Sequence, residues 1–286
     1  MNRPNHSAGS LGPRVGDVLR FRDREREARQ LLAAIRQRES LLICGPAGIG
    51  KTALVSRVLS GLEPDLAQRS LYVSGASGLQ PLLRQLLERL HLARDQTLRR
   101  QLHAERGRQA DFRGWLKAQS SSRLRGSLYR ALGGENYWIF LDHICVLTHA
   151  MGKVLKEIMR MRNTPVYFMA RGLRTGEIGP LAEAYWSDQQ RLFLDPLPEP
   201  AARELLEGCI RRLALQRLDL EGFRGDALQL SGRNPGAIVR MCTLAAEPRY
   251  RYGSKIKTRL MYVDCLIHGR KSVFEPEGRR EVDQDE

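Results

Sequence analysis

An α/β fold is what this sequence predicts: a parallel sheet with helices on both faces, followed by a small helical domain. Three observations lead there. Short apolar runs alternate with amphipathic stretches over the first two thirds of the chain, the pattern of repeated strand–helix units. One of these runs, SLLIC at 40–44, leads straight into a glycine-rich turn that opens a helix. After the proline-rich DPLPEPAA (195–202) the strand-like runs give way to successive helical patterns.

In order along the chain, residues 22–38 set Ala28, Leu31, Leu32 and Ile35 at i, i+3, i+4, i+7, which predicts a surface helix with a charged outer side. SLLIC is a continuous apolar run suited to a strand buried on both faces. TALVSRVLSGL reads as a helix ended by Gly61, RSLYVSG (69–75) as a second strand and PLLRQLLERLHL (81–92) as a helix. The stretch 94–131 is polar and rich in Arg and Gln, and is expected to be helical in pieces. YWIFLD (137–142), PVYFMA (165–170) and RLFLDPL (191–197) read as strands, with a helix at 150–162. Beyond the hinge, ARELLEGCIRRLAL, DLEGFRGDALQLSG and PGAIVRMCTLAAE read as helices, while 257–269 is ambiguous between helix and strand. The expected organisation is a tail at 1–16, an α/β domain at 17–198, a helical domain with a basic extension at 199–270, and an acidic tail at 271–286.

The chain has 286 residues, 42% of them hydrophobic and 6% aromatic, as expected of a globular protein with a real core. No apolar run approaches the ~18–20 residues of a membrane helix, and the N-terminal segment lacks the apolar core of a secretory signal. The five cysteines are scattered without a C-x-x-C pair, which favours reduced thiols and a cytoplasmic setting. Cys145 and His149, with His143 nearby, have helical ligand spacing, but no second ligand pair completes a metal site, so a buried thiol is the preferred reading. The net charge is +15, and only seven of the 47 basic residues are lysine. That balance leaves two readings open, DNA or RNA binding and a solvated basic surface.

GPAGIGKT (45–52) matches the phosphate-binding loop G-x-x-x-x-G-K-[ST] without departure, between an expected strand and an expected helix. Gly45, Gly48 and Gly50 let the backbone of Gly45, Pro46, Ala47, Gly48, Ile49, Gly50, Lys51, Thr52 and Ala53 curl so that N–H groups face phosphate oxygens. The helix N-terminus adds partial positive charge there. Lys51 is placed to reach the β- and γ-phosphates, and Thr52 offers a hydroxyl to Mg²⁺. Asp142, at the end of YWIFLD, is the best candidate for the second Mg²⁺ partner, since ligands gather at the carboxyl ends of strands in open sheets; a helix-capping aspartate is the plain alternative. His143 follows it, where many such ATPases carry a second acid that polarises water. A histidine accepts a proton near neutral pH, but nothing here gives it a carboxylate's charge. Glu177 is a remote substitute. Slow hydrolysis is the expectation.

With these residues in place the chain resembles AAA+/STAND-type P-loop ATPases, near the group that includes origin-recognition initiators, over roughly residues 18–246. LRFRDREREARQLLAAI is similar to the family's box ahead of the first strand, with Phe21, Arg24 and Glu27 at matching places and Asp23 where glycine is usual. The resemblance implies that Arg24 lies beside the base of the nucleotide. FLDHI resembles the Walker B strand end without its second acid. PVYFMARG resembles the strand that carries a polar or arginine sensor, which gives Arg171 that role near the γ-phosphate. SGRNPGAIVRMC resembles the turn opening a lid helix, and in STAND relatives a proline there, Pro235 in this chain, touches the nucleotide.

Two functions follow as expectations. The first is a switch that binds ATP and Mg²⁺, hydrolyses slowly, and passes its state to a partner protein or to copies of itself. The second is a DNA-associated ATPase, favoured by the net charge and by RYRYGSKIKTR (249–259), where basic and aromatic residues interleave. A small-molecule kinase is disfavoured, because no acceptor-binding motif is present.

Overall fold

The computed structural model describes residues 23–107, 111–144, 146–161, 163–173, 178–185 and 187–267. The expected tails, with Phe21, Cys145 and Glu177, lie outside these residues. The described chain divides into two compact units. The first comprises Arg24–Gly45 and Lys51–Leu194. The second holds the residues from Asp195 onward together with the loop segment Pro46–Gly50.

The first unit begins with α1 (Glu25–Gln37), β1 (Leu41–Cys44), α2 (Lys51–Ser60) and the short α3 (Pro64–Gln68). β2 (Ser70–Ser74) and α4 (Leu79–Leu92) follow. The polar stretch after α4 forms three helices, α5 (Gln96–Arg106), α6 (Phe112–Ala118) and α7 (Ser121–Gly134). Its sparse apolar residues are well spaced: Leu98, Leu102, Trp115, Leu116, Leu124 and Leu128 are all buried. β3 (Trp138–Asp142), α8 (His149–Met159), β4 (Val166–Ala170) and β5 (Arg191–Phe193) complete the unit, with two 3₁₀ turns ahead of β5.

The five strands pair in parallel in the order β2-β3-β4-β1-β5. β1, β3 and β4 are buried at every position, as their unbroken apolar runs require. Alternation splits the side chains between two faces. Leu71, Val73, Ile139, Leu141, Val166 and Phe168 join one cluster with the apolar stripes of α4, α7 and α8. On the other face Phe140 stacks on Tyr167, and α1 packs there, its Ile35 and Ala34 carbonyls accepting from Trp138 Nε1 and the Tyr167 hydroxyl. Helices on both faces of a parallel sheet is the architecture the alternation predicts.

The second unit is built on α9 (Glu199–Arg212), α10 (Glu221–Leu230) and α11 (Pro235–Ala245). Its own core includes Leu205, Leu206, Ile210, Phe223, Ile238 and Met241, with the thiols Cys209 and Cys242 buried among them. The basic stretch after α11 folds as a small antiparallel hairpin, β6 (Arg251–Tyr252) and β7 (Lys255–Ile256), turning at Gly253, whose φ is +56°. The ambiguous segment is α12 (Thr258–Ile267), packed through Met261.

Candidate nucleotide site

Strand β1 reaches its tip between two parallel neighbours. Gly45 N–H donates to Ala170 O (3.3 Å) and Leu194 N–H to Cys44 O (2.8 Å), so the glycine-rich loop leaves from a fully bonded strand end. The three glycines take φ values of +154°, +81° and +106° at 45, 48 and 50, which side chains with a Cβ rarely adopt. A Cβ on Gly50 would meet nothing within 4 Å, so it is backbone conformation that requires glycine there, and the space before it is open. Lys51 curls back and donates Nζ to Gly45 O at 2.5 Å, which sets its ammonium across the loop. Buried Ala53, Leu54 and Val55 anchor the first turns of α2.

Asp142 closes β3 with its side chain buried, and three donors meet its carboxylate. Thr52 Oγ1 and the Tyr72 hydroxyl both donate to Oδ2 at 2.6 Å, and the His143 backbone N–H donates to Oδ1 at 2.8 Å. The capping alternative is excluded, because α8 takes Thr148 as its cap through Met151 N–H. Burial first, then the charge of Asp142, pushes the Tyr72 hydroxyl well above the ordinary phenol range and keeps it a donor. His143 turns out of the strand in a left-handed conformation, φ +52°. Its ring is 64% exposed, with Nε2 3.5 Å from Asp142 Oδ2.

Within the second unit the loop has its own supports. Asn234 caps α11, its Oδ1 accepting from Gly236 and Ala237 N–H, while its Nδ2 donates to Ala47 O at 2.9 Å. Gly236 N–H also donates to Gly48 O at 2.9 Å. A Cβ on Gly236 would come within 2.7 Å of Gly48 Cα and 2.9 Å of its carbonyl oxygen, so only glycine permits this approach. Pro235 takes the first helical position between them and is buried. Ile49, 1% exposed, fixes the middle of the loop.

The remaining expected site residues are spread more widely. Arg24 precedes α1, is 5% exposed and pairs with Glu27 Oε1 at 2.9 Å. Asp23, standing where the related box has glycine, has φ +61°, a conformation that glycine takes freely and aspartate tolerates. Arg171 follows β4 and is exposed; the register of Ala170 opposite Cys44 brings it off the sheet level with Gly45.

Taken as donors, these groups suit an anionic chain and a hard cation. The Lys51 ammonium, the start of α2 and the open loop favour phosphate oxygens. A hydroxyl and a carboxylate joined at 2.6 Å are oxygen ligands of the kind Mg²⁺ takes. Sequence reasoning missed Tyr72 and Gly236. Alternation along RSLYVSG separates Tyr72 from Leu71 and Val73, but only the strand order reveals which acid it meets.

Residues 20–169 match the family model for the AAA ATPase domain. No curated protein sequence matches the chain closely enough to count as a relative. Among solved structures, the Walker-type ATPase of Pyrococcus abyssi aligns with a TM-score of 0.54 at 14% identity, covering 85% of this chain and 72% of that one. The ORC1 protein of Aeropyrum pernix, solved in complex with DNA, aligns with a TM-score of 0.54 at 19% identity, covering 86% of this chain and 68% of that one. At such identities the likeness is one of fold.

Proposed function

Because the chain belongs to the AAA ATPase domain family through residues 20–169, we propose that it is a nucleotide-dependent switch that binds Mg-ATP and hydrolyses it slowly. The observation that carries this reading is the contrast at the end of β3. Asp142 is held by three donors, while the next position offers an exposed histidine in place of a second acid. Binding is provided for more fully than water activation.

In this reading the loop amides and Lys51 hold the phosphates, and Thr52 and Asp142 hold Mg²⁺. Bound there, Mg²⁺ would supply positive charge to offset that of the phosphates. Arg171 senses the γ-phosphate, and Arg24 and Pro235 flank the nucleotide. The bonds from Asn234 and Gly236 to the carbonyls of Ala47 and Gly48 support coupling, since a loop that re-forms around phosphates pulls on the start of α11. A change of state from 1:99 to 99:1 requires about 10⁴-fold better binding to one state, ~5.5 kcal/mol. The output passes to a partner protein or to self-assembly.

A DNA-associated ATPase is the second reading. It is favoured by the net charge and by the hairpin after α11 with the start of α12, where Tyr252 is 78% exposed and Lys255, Lys257 and Arg259 face solvent. Arg251 belongs to the fold instead, donating to the Ala245 and Ala246 carbonyls at the end of α11. The ORC1 structure of similar fold contains DNA.

Steady-state ATP hydrolysis and ATP binding by wild type and Lys51→Ala, with and without double-stranded DNA at two salt concentrations, separate the two. Tight binding with slow turnover indifferent to DNA is the expected result. Turnover that rises with DNA and falls with salt favours the second reading. Failure of the wild type to bind ATP sinks both.

A further inference from the structure

Resting on the Mg-ATP reading of Thr52 and Asp142, we infer that Tyr72 is a positioning residue for the metal: its hydroxyl fixes the Asp142 carboxylate in the orientation that accepts Mg²⁺. Tyr72 lies on β2, outside every motif of the phosphate loop. In the β2–β3 register it pairs with Phe140, two residues before Asp142, so all three side chains fall on the same face of the sheet. The phenol is long enough to cross that diagonal, and its hydroxyl ends 2.6 Å from Asp142 Oδ2.

A carboxylate at a strand tip rotates about χ2 unless its oxygens are distinguished. Here they are. Oδ1 is held by the His143 backbone N–H, while Oδ2 takes both hydroxyls, Thr52 from the loop side and Tyr72 from the neighbouring strand. Thr52 is itself a metal ligand in this reading, so its hydroxyl cannot orient Asp142 independently of the metal. Tyr72 can. Its hydroxyl is buried and attached to a strand rather than to the loop that receives phosphate. Such outer partners of metal ligands typically matter by 10–100-fold in metal affinity.

The test is Tyr72→Phe, which keeps the ring and removes one oxygen. Binding of a fluorescent N-methylanthraniloyl ATP is measured across a Mg²⁺ titration and again in EDTA. The expected result is a Mg²⁺ midpoint raised about tenfold, with metal-free nucleotide affinity unchanged. That unchanged affinity also reports an intact fold. A hydroxyl that merely satisfies the core would lower the melting temperature and leave the midpoint where it was; that outcome overturns the assignment while the nucleotide reading stands. Wild-type binding that ignores Mg²⁺ overturns the metal reading, and the assignment with it.

Discussion

Asp142 and His143 are consecutive, and the chain treats them in opposite ways. The carboxylate is buried and takes hydrogen bonds from a loop hydroxyl, a strand hydroxyl and a backbone amide. The imidazole is mostly in solvent, on a residue with positive φ, with a long 3.5 Å approach to its neighbour. A buried polar group held from three sides is costly to disturb and has one orientation. Under the proposed function, that difference corresponds to a strand end that holds a ligand rather than one that activates water.

Asp142→Asn puts most strain on that contrast. One carboxylate oxygen becomes an amide nitrogen, which faces either the two hydroxyls or the His143 N–H. The expected outcome is a loss of Mg²⁺-dependent hydrolysis of at least about a hundredfold, equivalent to ~3 kcal/mol of barrier, together with a fall in stability of about 1–3 kcal/mol. Turnover assays and denaturant unfolding read the two effects. Turnover retained at the wild-type level would mean that the carboxylate is structural only.

Gly236→Ala tests the other support of the loop. Its Cβ would press on the backbone of Gly48, which cannot yield as a flexible side chain can. The bond from residue 236 to Gly48 O lengthens, and the Asn234–Ala47 bond beside it follows. About tenfold weaker ATP binding is expected, ~1.4 kcal/mol, with the Mg²⁺ midpoint unchanged. Equilibrium binding checks both numbers, and unaltered affinity would remove the loop–α11 coupling from the proposed switch.

How far all this was legible in the sequence depends on whether a feature is local. The loop at 45–52, the strands around it and Asp142 at a strand tip were readable because the motif and its flanking elements are contiguous. Asp23 marks a glycine-like conformation, and the position was noticed through the departure from glycine, although the conformation itself was not. Tyr72 was invisible because its role depends on β2 lying beside β3. Gly236 was invisible because its close neighbour, Gly48, is far away in the chain. The hairpin had a signal in Gly253–Ser254 between two extended pairs, but strands of two residues are too short to show alternation. The stretch 94–131 was legible as helical in pieces, but the bounds of its three helices were not, since arginines crowd the exposed faces around a few buried leucines and Trp115.

His143 gives the smallest expected effect and the sharpest check on the comparison. If water activation is what the strand end lacks, His143→Ala should change turnover by no more than about twofold, while His143→Glu should raise it. A fully positioned general base contributes about 10²–10⁴-fold. Glutamate at a left-handed, solvent-facing turn has neither the fixed direction nor the dry surroundings for that. A gain of about fivefold is therefore expected, well short of a positioned base. A loss of a hundredfold in His143→Ala would invert the comparison and make the histidine a base in its own right.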